Sequence, residues 1–221
     1  MLHALPLVFL LFAAGNAAAE VDCAPRLWPA KVQLSTLSAP LCDDLMRAAQ
    51  RLTTQPPTPV VELKSAGVVD VKDPQLVESR AALADANRAA ILALAYRVSG
   101  EKSDLSAGRD TLMAWANIYL PVGHPIDESK LDQMIWAYDL LRCDLPSAER
   151  AVIERWIGAL LDKKDTWRFG PSSVRNNHHT HQLKLQILGA AALGDRERLA
   201  RYIAQARPPR RQYRRARRHL E

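Results

Sequence analysis

The feature that most constrains this chain is a helical periodicity that continues from residue 41 to residue 206. Apolar residues recur every three to four positions over one segment after another, and turns rich in proline or glycine separate most of the segments. Because each such segment must bury one face, the pattern favours an all-α fold. The predicted helices cover residues 41–53, 74–98, 104–119, 127–142, 147–161, 181–193 and 196–206.

Short turns join these segments, which indicates antiparallel helical hairpins. An array of hairpins can form a bundle, a solenoid or a closed (α/α) toroid. The sequence shows no repeat of fixed length, which argues against a regular solenoid. Residues 60–71 are rich in valine, so a short strand is predicted there.

Both ends of the chain differ in composition from the helical region. Residues 1–19 contain an apolar run, Leu5 to Ala14, and end in three alanines, which is typical of a cleaved export signal. An uncleaved membrane anchor is the alternative. Residues 207–221 hold seven arginines and one glutamate, so this tail carries the whole net charge of +6. We predict a signal peptide at 1–19, a helical domain at 20–206 and a disordered tail at 207–221. The mature protein is expected in the periplasm or outside the cell, without stable membrane insertion.

The densest group of polar side chains is the stretch 175–181, which reads Arg-Asn-Asn-His-His-Thr-His. It contains three of the six histidines of the chain, and the apolar run 183–193 follows it. This order predicts a polar cluster at the N-terminus of a buried helix, where asparagine is a favoured cap. A cap needs only one asparagine, so the additional arginine and histidines indicate a functional site.

Three stretches of the chain resemble the alginate lyase family of polysaccharide lyases. They are Leu-Ala-Asp-Ala-Asn-Arg-Ala-Ala at 83–90, Tyr-Leu-Pro-Val-Gly-His-Pro-Ile-Asp-Glu-Ser-Lys-Leu at 119–131 with its continuation at 137–141, and the triplet Asn-Asn-His at 176–178. They occur in a consistent order over residues 70–206. The resemblance implies an (α/α) toroid and β-elimination on uronate polymers such as alginate.

The resemblance also implies roles for the polar cluster. Asn177 would neutralise the charge that develops on the uronate carboxylate, and a neutral His178 would take the proton beside that carboxylate. Arg175 and His181 are predicted to support substrate binding, because they lie near this pair in the sequence. No cofactor or metal is expected, and the expected partner is an acidic polysaccharide.

One part of the family's pattern has no match in this chain. The family's catalytic tyrosine, with an arginine before it, lies beyond the helix that follows the Asn-Asn-His helix. Here the corresponding region is the Arg- and Pro-rich run 207–221. We therefore predict a C-terminal truncation or frameshift near residue 207 and an incomplete toroid. Tyr213 lies in no matching context and receives no catalytic role.

Three other interpretations fit parts of the sequence. A uronate-binding protein without catalysis would use the same Asn177 region. A zinc site could use His178 and His181, which share a helix face, but the sequence indicates no third ligand. The Arg-rich tail is typical of nucleic-acid binding, yet it has one aromatic residue and no folded reading module. No nucleic-acid partner is therefore predicted.

Several residues outside the cluster resemble functional groups but fit a structural role better. Trp115 and Trp136 could stack on sugar rings, although their helical positions favour core packing. Tyr138 lies on an apolar stripe and is predicted to be core. Asp127 and Glu128 look like a catalytic carboxylate pair, but at the start of a predicted helix they are expected to cap it.

Overall fold

A computed structural model describes residues 24–28, 38–170 and 177–206. Within these ranges the chain forms eight α-helices and no strand, which confirms the all-α prediction. A short 3₁₀ turn, Ser129–Leu131, precedes the fifth helix. The helices are α1 (Ala39–Leu52), α2 (Pro74–Ala82), α3 (Ala84–Ser99), α4 (Lys102–Ile118), α5 (Asp132–Leu141), α6 (Ser147–Thr166), α7 (Asn177–Leu193) and α8 (Arg196–Ala206).

Some of the predictions concern parts of the chain outside these ranges. The signal peptide at 1–19, the tail at 207–221 and Arg175 all lie outside the described residues. In the part of the chain that the structure describes, no helix combines the length and the hydropathy that a membrane span needs.

The predicted helix 74–98 is interrupted at Leu83, where ψ is −12°, and this residue separates α2 from α3. The start of α2 and the end of α3 agree with the prediction. Asp73 caps α2, since its carboxylate accepts hydrogen bonds from two backbone N–H groups of the first turn at 2.8 and 3.1 Å. Gly100 ends α3 in the left-handed conformation, with φ of +76°.

Residues 60–71 form no strand, so this prediction is wrong. A strand satisfies its backbone groups by pairing with another strand, whereas this segment bonds to helices and turns. The backbone N–H of Leu120 donates to the carbonyl of Val61 at 2.9 Å. The backbone N–H of Lys64 donates to the hydroxyl of Ser79 at 2.9 Å. The valine-rich segment is therefore an irregular connection that is fixed by its neighbours.

Helices at alternate positions in the chain lie side by side, which arranges the fold in two layers. α3 packs against α1 and α5, and α5 packs against α7, so these four helices form one layer. α4 and α6 contact each other, and they cover the first layer through contacts with α3, α5 and α7. Two-residue turns close the hairpins α3–α4 and α7–α8. A hairpin array was predicted; its closure into a toroid stays a prediction.

The core between the layers contains two of the aromatic residues that sequence analysis assigned to it. Trp115 and Tyr138 are 0% and 1% exposed, which confirms those predictions. The indole N–H of Trp115 donates to the carboxylate of Asp85 at 2.9 Å, so its polar group is satisfied. Trp136 is half-buried, and its ring meets that of Trp28 edge-on with the centroids 6.4 Å apart.

Residues 24–28 cross from α5 to the C-terminal end of α7. The backbone N–H groups of Arg26 and Leu27 donate to the two carboxylate oxygens of Asp139 at 2.9 and 2.8 Å. The guanidinium of Arg26 donates to the carbonyl of Ala192 at 2.9 Å. Because Asp139 is fully buried, this short arm is part of the packed structure.

Candidate functional site

α7 begins at Asn177, earlier than predicted, so the histidines of the polar cluster form its first turns. Asn177 is exposed, and His178 and His181 are half-buried. The structure thus brings these three predicted site residues together at one helix end, with the two histidines at i and i+3. Arg175 lies outside the described residues, so its predicted contact stays a prediction.

The inner face of α7 is anchored to α6. The side-chain amide of Gln182 donates to the carbonyl of Lys164 at 2.8 Å, and that of Gln186 donates to the carboxylate of Asp165 at 2.7 Å. Gly189 lies so close to α6 that a Cβ there would stand 2.8 Å from a leucine side chain. The polar first turn is therefore presented by a helix that is fixed along its length.

His124 lies in the second family-like stretch, 119–131, and is a further candidate residue that sequence analysis did not single out. Its ring meets Trp167 edge-on with the centroids 4.9 Å apart, and its Nδ1 lies 3.0 Å from Oδ2 of Asp127. Burial lowers the pKa of His124. The carboxylate of Asp127 opposes this shift, and positive charge on Lys164 and His178 adds to it. The pKa of His124 therefore responds to charge on the end of α6 and on the first turn of α7.

Asp127 and Glu128 do not cap a helix, contrary to the prediction, because α5 begins only at Asp132. Both carboxylates are buried instead. Oδ1 of Asp127 accepts hydrogen bonds from the backbone N–H and the hydroxyl of Ser65, both at 2.7 Å, and from the backbone N–H of Ala66 at 2.6 Å. Asp127 thus ties the irregular segment that precedes α2 to the turn before α5.

Glu128 and Lys164 form a buried ion pair beneath this turn. Their Oε2 and Nζ atoms are 2.7 Å apart, and both side chains are 0% exposed. The ammonium also donates to the carbonyls of His124 at 2.9 Å and Gly123 at 3.3 Å. The other Glu128 oxygen accepts from the hydroxyl of Tyr119 at 2.9 Å. Burial lowers the pKa of Lys164 while the carboxylate opposes it, and burial raises the pKa of Tyr119. These contacts fix the turn against the end of α6.

Gly123 allows the turn to approach α6 this closely. Its φ is +86°, a left-handed conformation that other residues rarely adopt. A Cβ on this residue would also stand 2.6 Å from the carbonyl oxygen of Lys163. Both the conformation and the lack of space therefore require glycine at this point of the second family-like stretch.

The chemistry that these residues offer is acid–base and electrostatic. A neutral imidazole can accept a proton, the Asn177 amide can donate hydrogen bonds, and the N-terminus of α7 favours an anion. Among the described residues, no group of three or more His, Cys, Asp or Glu side chains is arranged to hold a metal ion. The zinc interpretation therefore finds no third ligand in that part of the chain.

A cavity of about 510 Å³ lies elsewhere, between α1 and the start of α4. Its lining includes Asp43, Arg47 and Glu101, and it contains none of the site histidines. The cavity lacks an amide beside an imidazole, so its size alone does not make it the better candidate. We place the site by its chemistry, at the start of α7.

The chain matches a protein-family model over most of its length. Residues 36–218 match the family described as Alginate lyase, whereas no curated protein matches the chain. The matched region starts earlier and ends later than the stretch 70–206 that carries the resemblance. It includes both the turn around His124 and the start of α7. Because the match covers most of the sequence, this chain belongs to the alginate lyase family.

Proposed function

We propose that this protein cleaves uronate polymers such as alginate by β-elimination. Membership of the alginate lyase family implies a polysaccharide lyase. The observation that carries the finer proposal is the position of Asn177, exposed, beside His178, half-buried, in the first turn of α7. An amide and an imidazole side by side at a helix N-terminus suit the removal of a proton next to a carboxylate.

In the proposed reaction, Asn177 binds the carboxylate of the uronate at the cleavage point. Its amide donates hydrogen bonds that stabilise the charge developing there as the neighbouring proton leaves. Neutral His178 accepts that proton. The electron pair of the broken C–H bond forms a carbon–carbon double bond, and the bond to the oxygen of the next sugar breaks. A proton donor then supplies a proton to that oxygen.

The surroundings favour an anionic substrate. The first backbone N–H groups of α7 have no partner within the helix, and the helix dipole adds positive potential at this end. We assign His181, half-buried and one turn further along α7, to substrate binding, together with Arg175. We also propose that residues 1–19 direct export, which would bring the enzyme to polymers in the periplasm or outside the cell.

The test follows the unsaturated uronate ends by their ultraviolet absorbance. Purified protein is incubated with alginate and with other uronate polymers. We expect product from the unchanged protein and a loss of about 100-fold or more in His178→Ala. His179→Ala is the matched control, because that half-buried histidine packs against the ring of Phe169 at 5.5 Å and has no assigned role.

Two outcomes would contradict the proposal. Equal rates in the unchanged protein and in His178→Ala would remove the histidine as base. Polymer binding without any unsaturated product from the unchanged protein would favour a non-catalytic uronate-binding protein instead.

A further inference from the structure

The cavity between α1 and the start of α4 has no part in the proposed lyase reaction. Its volume of about 510 Å³ is in the range of small-molecule sites. The charged residues of its lining are Asp43 and Arg47 of α1, Glu101 immediately before α4, and Asp104 in the first turn of α4. Three carboxylates and one guanidinium give this lining a formal net charge of −2. The cavity therefore favours a cation.

Asp104 is the unusual member of this lining, because its carboxylate is buried without a partner. The residue is only 3% exposed, and its Oδ2 is one of the buried atoms that have no hydrogen-bond partner among the described residues. An acidic side chain in the first turn of a helix commonly accepts a hydrogen bond from a backbone N–H, but Oδ2 does not. A buried acceptor without a partner is costly, so a donor from outside the chain would satisfy it.

The two cations nearest to Asp104 in the lining or in the sequence are engaged elsewhere. Arg47 lies 2.5 Å from the carboxylate of Asp44 at the surface, where the two side chains are 60% and 71% exposed. The ammonium of Lys102 lies 5.4 Å from the centroid of the Tyr96 ring and 3.4 Å from its hydroxyl. In the part of the chain that the structure describes, Asp104 forms no ion pair. Its counter-charge is therefore not supplied by these neighbours.

The rest of the lining fits a cation that carries a carbon chain. Met46 provides an apolar wall, and it packs against the small core cluster that contains Ala49 and Leu92. The exposed side chains of Gln50 and Ser103 add oxygens that can accept from an N–H group. Among the described residues, no group of His, Cys, Asp or Glu side chains is arranged to hold a metal ion. An alkylammonium thus fits this lining better than an inorganic cation.

We propose that this cavity binds a small organic amine, whose ammonium group donates a hydrogen bond to the buried carboxylate of Asp104 while its carbon chain contacts Met46. The site is separate from the proposed lyase site, because its lining contains neither Asn177 nor His178 and its net charge would repel a uronate polymer. The inference goes beyond the proposed function and does not depend on it.

The electrostatics of the cavity support this ligand. Burial raises the pKa of the Asp104 carboxyl, and the negative charge of Glu101 raises it further. A bound ammonium opposes this shift, since a nearby positive charge favours the ionised carboxylate. An uncharged ligand of the same length would not have this effect.

The experiment compares the binding of putrescine with that of butanediol, its uncharged counterpart of the same length, by calorimetry. We expect the protein to bind putrescine and to bind butanediol at least about tenfold more weakly. Asp104→Asn is expected to weaken putrescine binding about tenfold or more, because a charged hydrogen bond is lost. Asp110→Asn is the matched control on the same helix. Its carboxylate pairs with Arg109, is 54% exposed and lies outside the lining, so binding within about twofold of the unchanged protein is expected.

Glu101→Gln keeps the test decisive if Asp104→Asn does not fold, as monitored by circular dichroism. Glu101 is exposed in the lining, so this variant is expected to fold and to bind putrescine about two- to threefold more weakly.

Several results would overturn the inference. They are equal affinity of the unchanged protein and Asp104→Asn for putrescine, equal affinity for putrescine and butanediol, and binding of neither ligand. Where Asp104→Asn does not fold, unchanged affinity in Glu101→Gln has the same meaning. Binding of calcium chloride in place of putrescine would make the cavity an inorganic cation site instead. None of these measurements uses lyase activity, so failure of the proposed function leaves this test intact.

Discussion

At the scale of single residues, the site depends on charges that the fold removes from water. Lys164 and Glu128 are both 0% exposed, and a desolvated pair is favourable only when its remaining polar atoms are satisfied. Here the ammonium reaches two carbonyls, and the carboxylate accepts from Tyr119 and from two backbone N–H groups of the turn. The Glu128–Lys164 ion pair therefore fixes the position of the turn that carries Gly123 and His124.

Removal of one partner tests this interpretation. Lys164→Met is expected to lower the free energy of unfolding by about 3–5 kcal/mol, because Glu128 then stays buried without its counter-charge. The double variant with Glu128→Gln should recover part of the loss, since the amide oxygen can still accept from the backbone N–H groups of Val122 and Gly123. Urea unfolding followed by circular dichroism measures both. A single variant as stable as the double one would contradict the argument.

The pKa of His124 predicts a pH dependence of stability. Burial places the pKa of the folded state below the ordinary value of 6.5. Below pH 6.5 the unfolded chain therefore binds more protons than the folded one, and stability rises with pH. Its contribution is complete above pH 6.5 and decreases as the pH falls toward the folded pKa. We expect His124→Asn to lose less stability than the unchanged protein in this range, as measured by urea midpoints. Identical pH profiles would contradict this.

Sequence reasoning can propose candidate site residues that are adjacent in the chain, but it does not single out those that are distant. Asn177 and His178 were predicted because they are neighbours in one conspicuous cluster. His124 was not singled out, since the partners that define its environment, Trp167 and Lys164, become neighbours only through packing. Glu128 was misread as a helix cap because an acidic residue near a helix start has that appearance until its contact with Lys164 is known.

At the scale of elements, periodicity predicted which helices exist better than where they end. The break at Leu83 has no proline or glycine to mark it. α6 was predicted to end at residue 161, because the polar run after it looks like a loop. The helix continues to Thr166, since two of those polar residues, Lys164 and Asp165, face partners on the turn, α7 and α8. Tertiary contacts decided these boundaries.

Two glycines with similar backbone conformations allow two effects on stability to be separated: the strain of a left-handed conformation and the crowding around an added Cβ. Gly123 and Gly67 have similar φ values of +86° and +75°, but a Cβ meets the Lys163 carbonyl at the first and nothing within 4 Å at the second. We expect Gly67→Ala to cost about 1 kcal/mol from conformation, and Gly123→Ala to cost clearly more because the turn must move. Denaturant unfolding measures both. Equal costs at the two positions would show that the approach to α6 is not tight.

At the scale of the whole molecule, the two layers of alternating helices agree with the predicted hairpin array, whereas the arm at 24–28 was not predictable. Its contacts with α5 are made by backbone N–H groups, which carry no sequence signature, to the carboxylate of Asp139. The Arg26 guanidinium contacts the Ala192 carbonyl, so the arm joins α5 to the C-terminal end of α7, the helix that presents the candidate site at its other end. The packing of residues 24–28 is thereby linked to the packing of the helix that carries the candidate site.

The link through Asp139 can be tested without altering the site itself. Asp139→Asn removes the charge that Arg26 N–H, Leu27 N–H and Arg142 share and turns one acceptor into a donor. We expect a loss of about 2 kcal/mol in unfolding free energy and faster hydrogen exchange at the two arm amides. Asp162→Asn is the matched control: its carboxylate pairs with Arg198 at the surface, where it is 62% exposed, so a loss below about 0.5 kcal/mol is expected. Unchanged exchange at both arm amides in Asp139→Asn would show that the buried carboxylate does not hold the arm against α5.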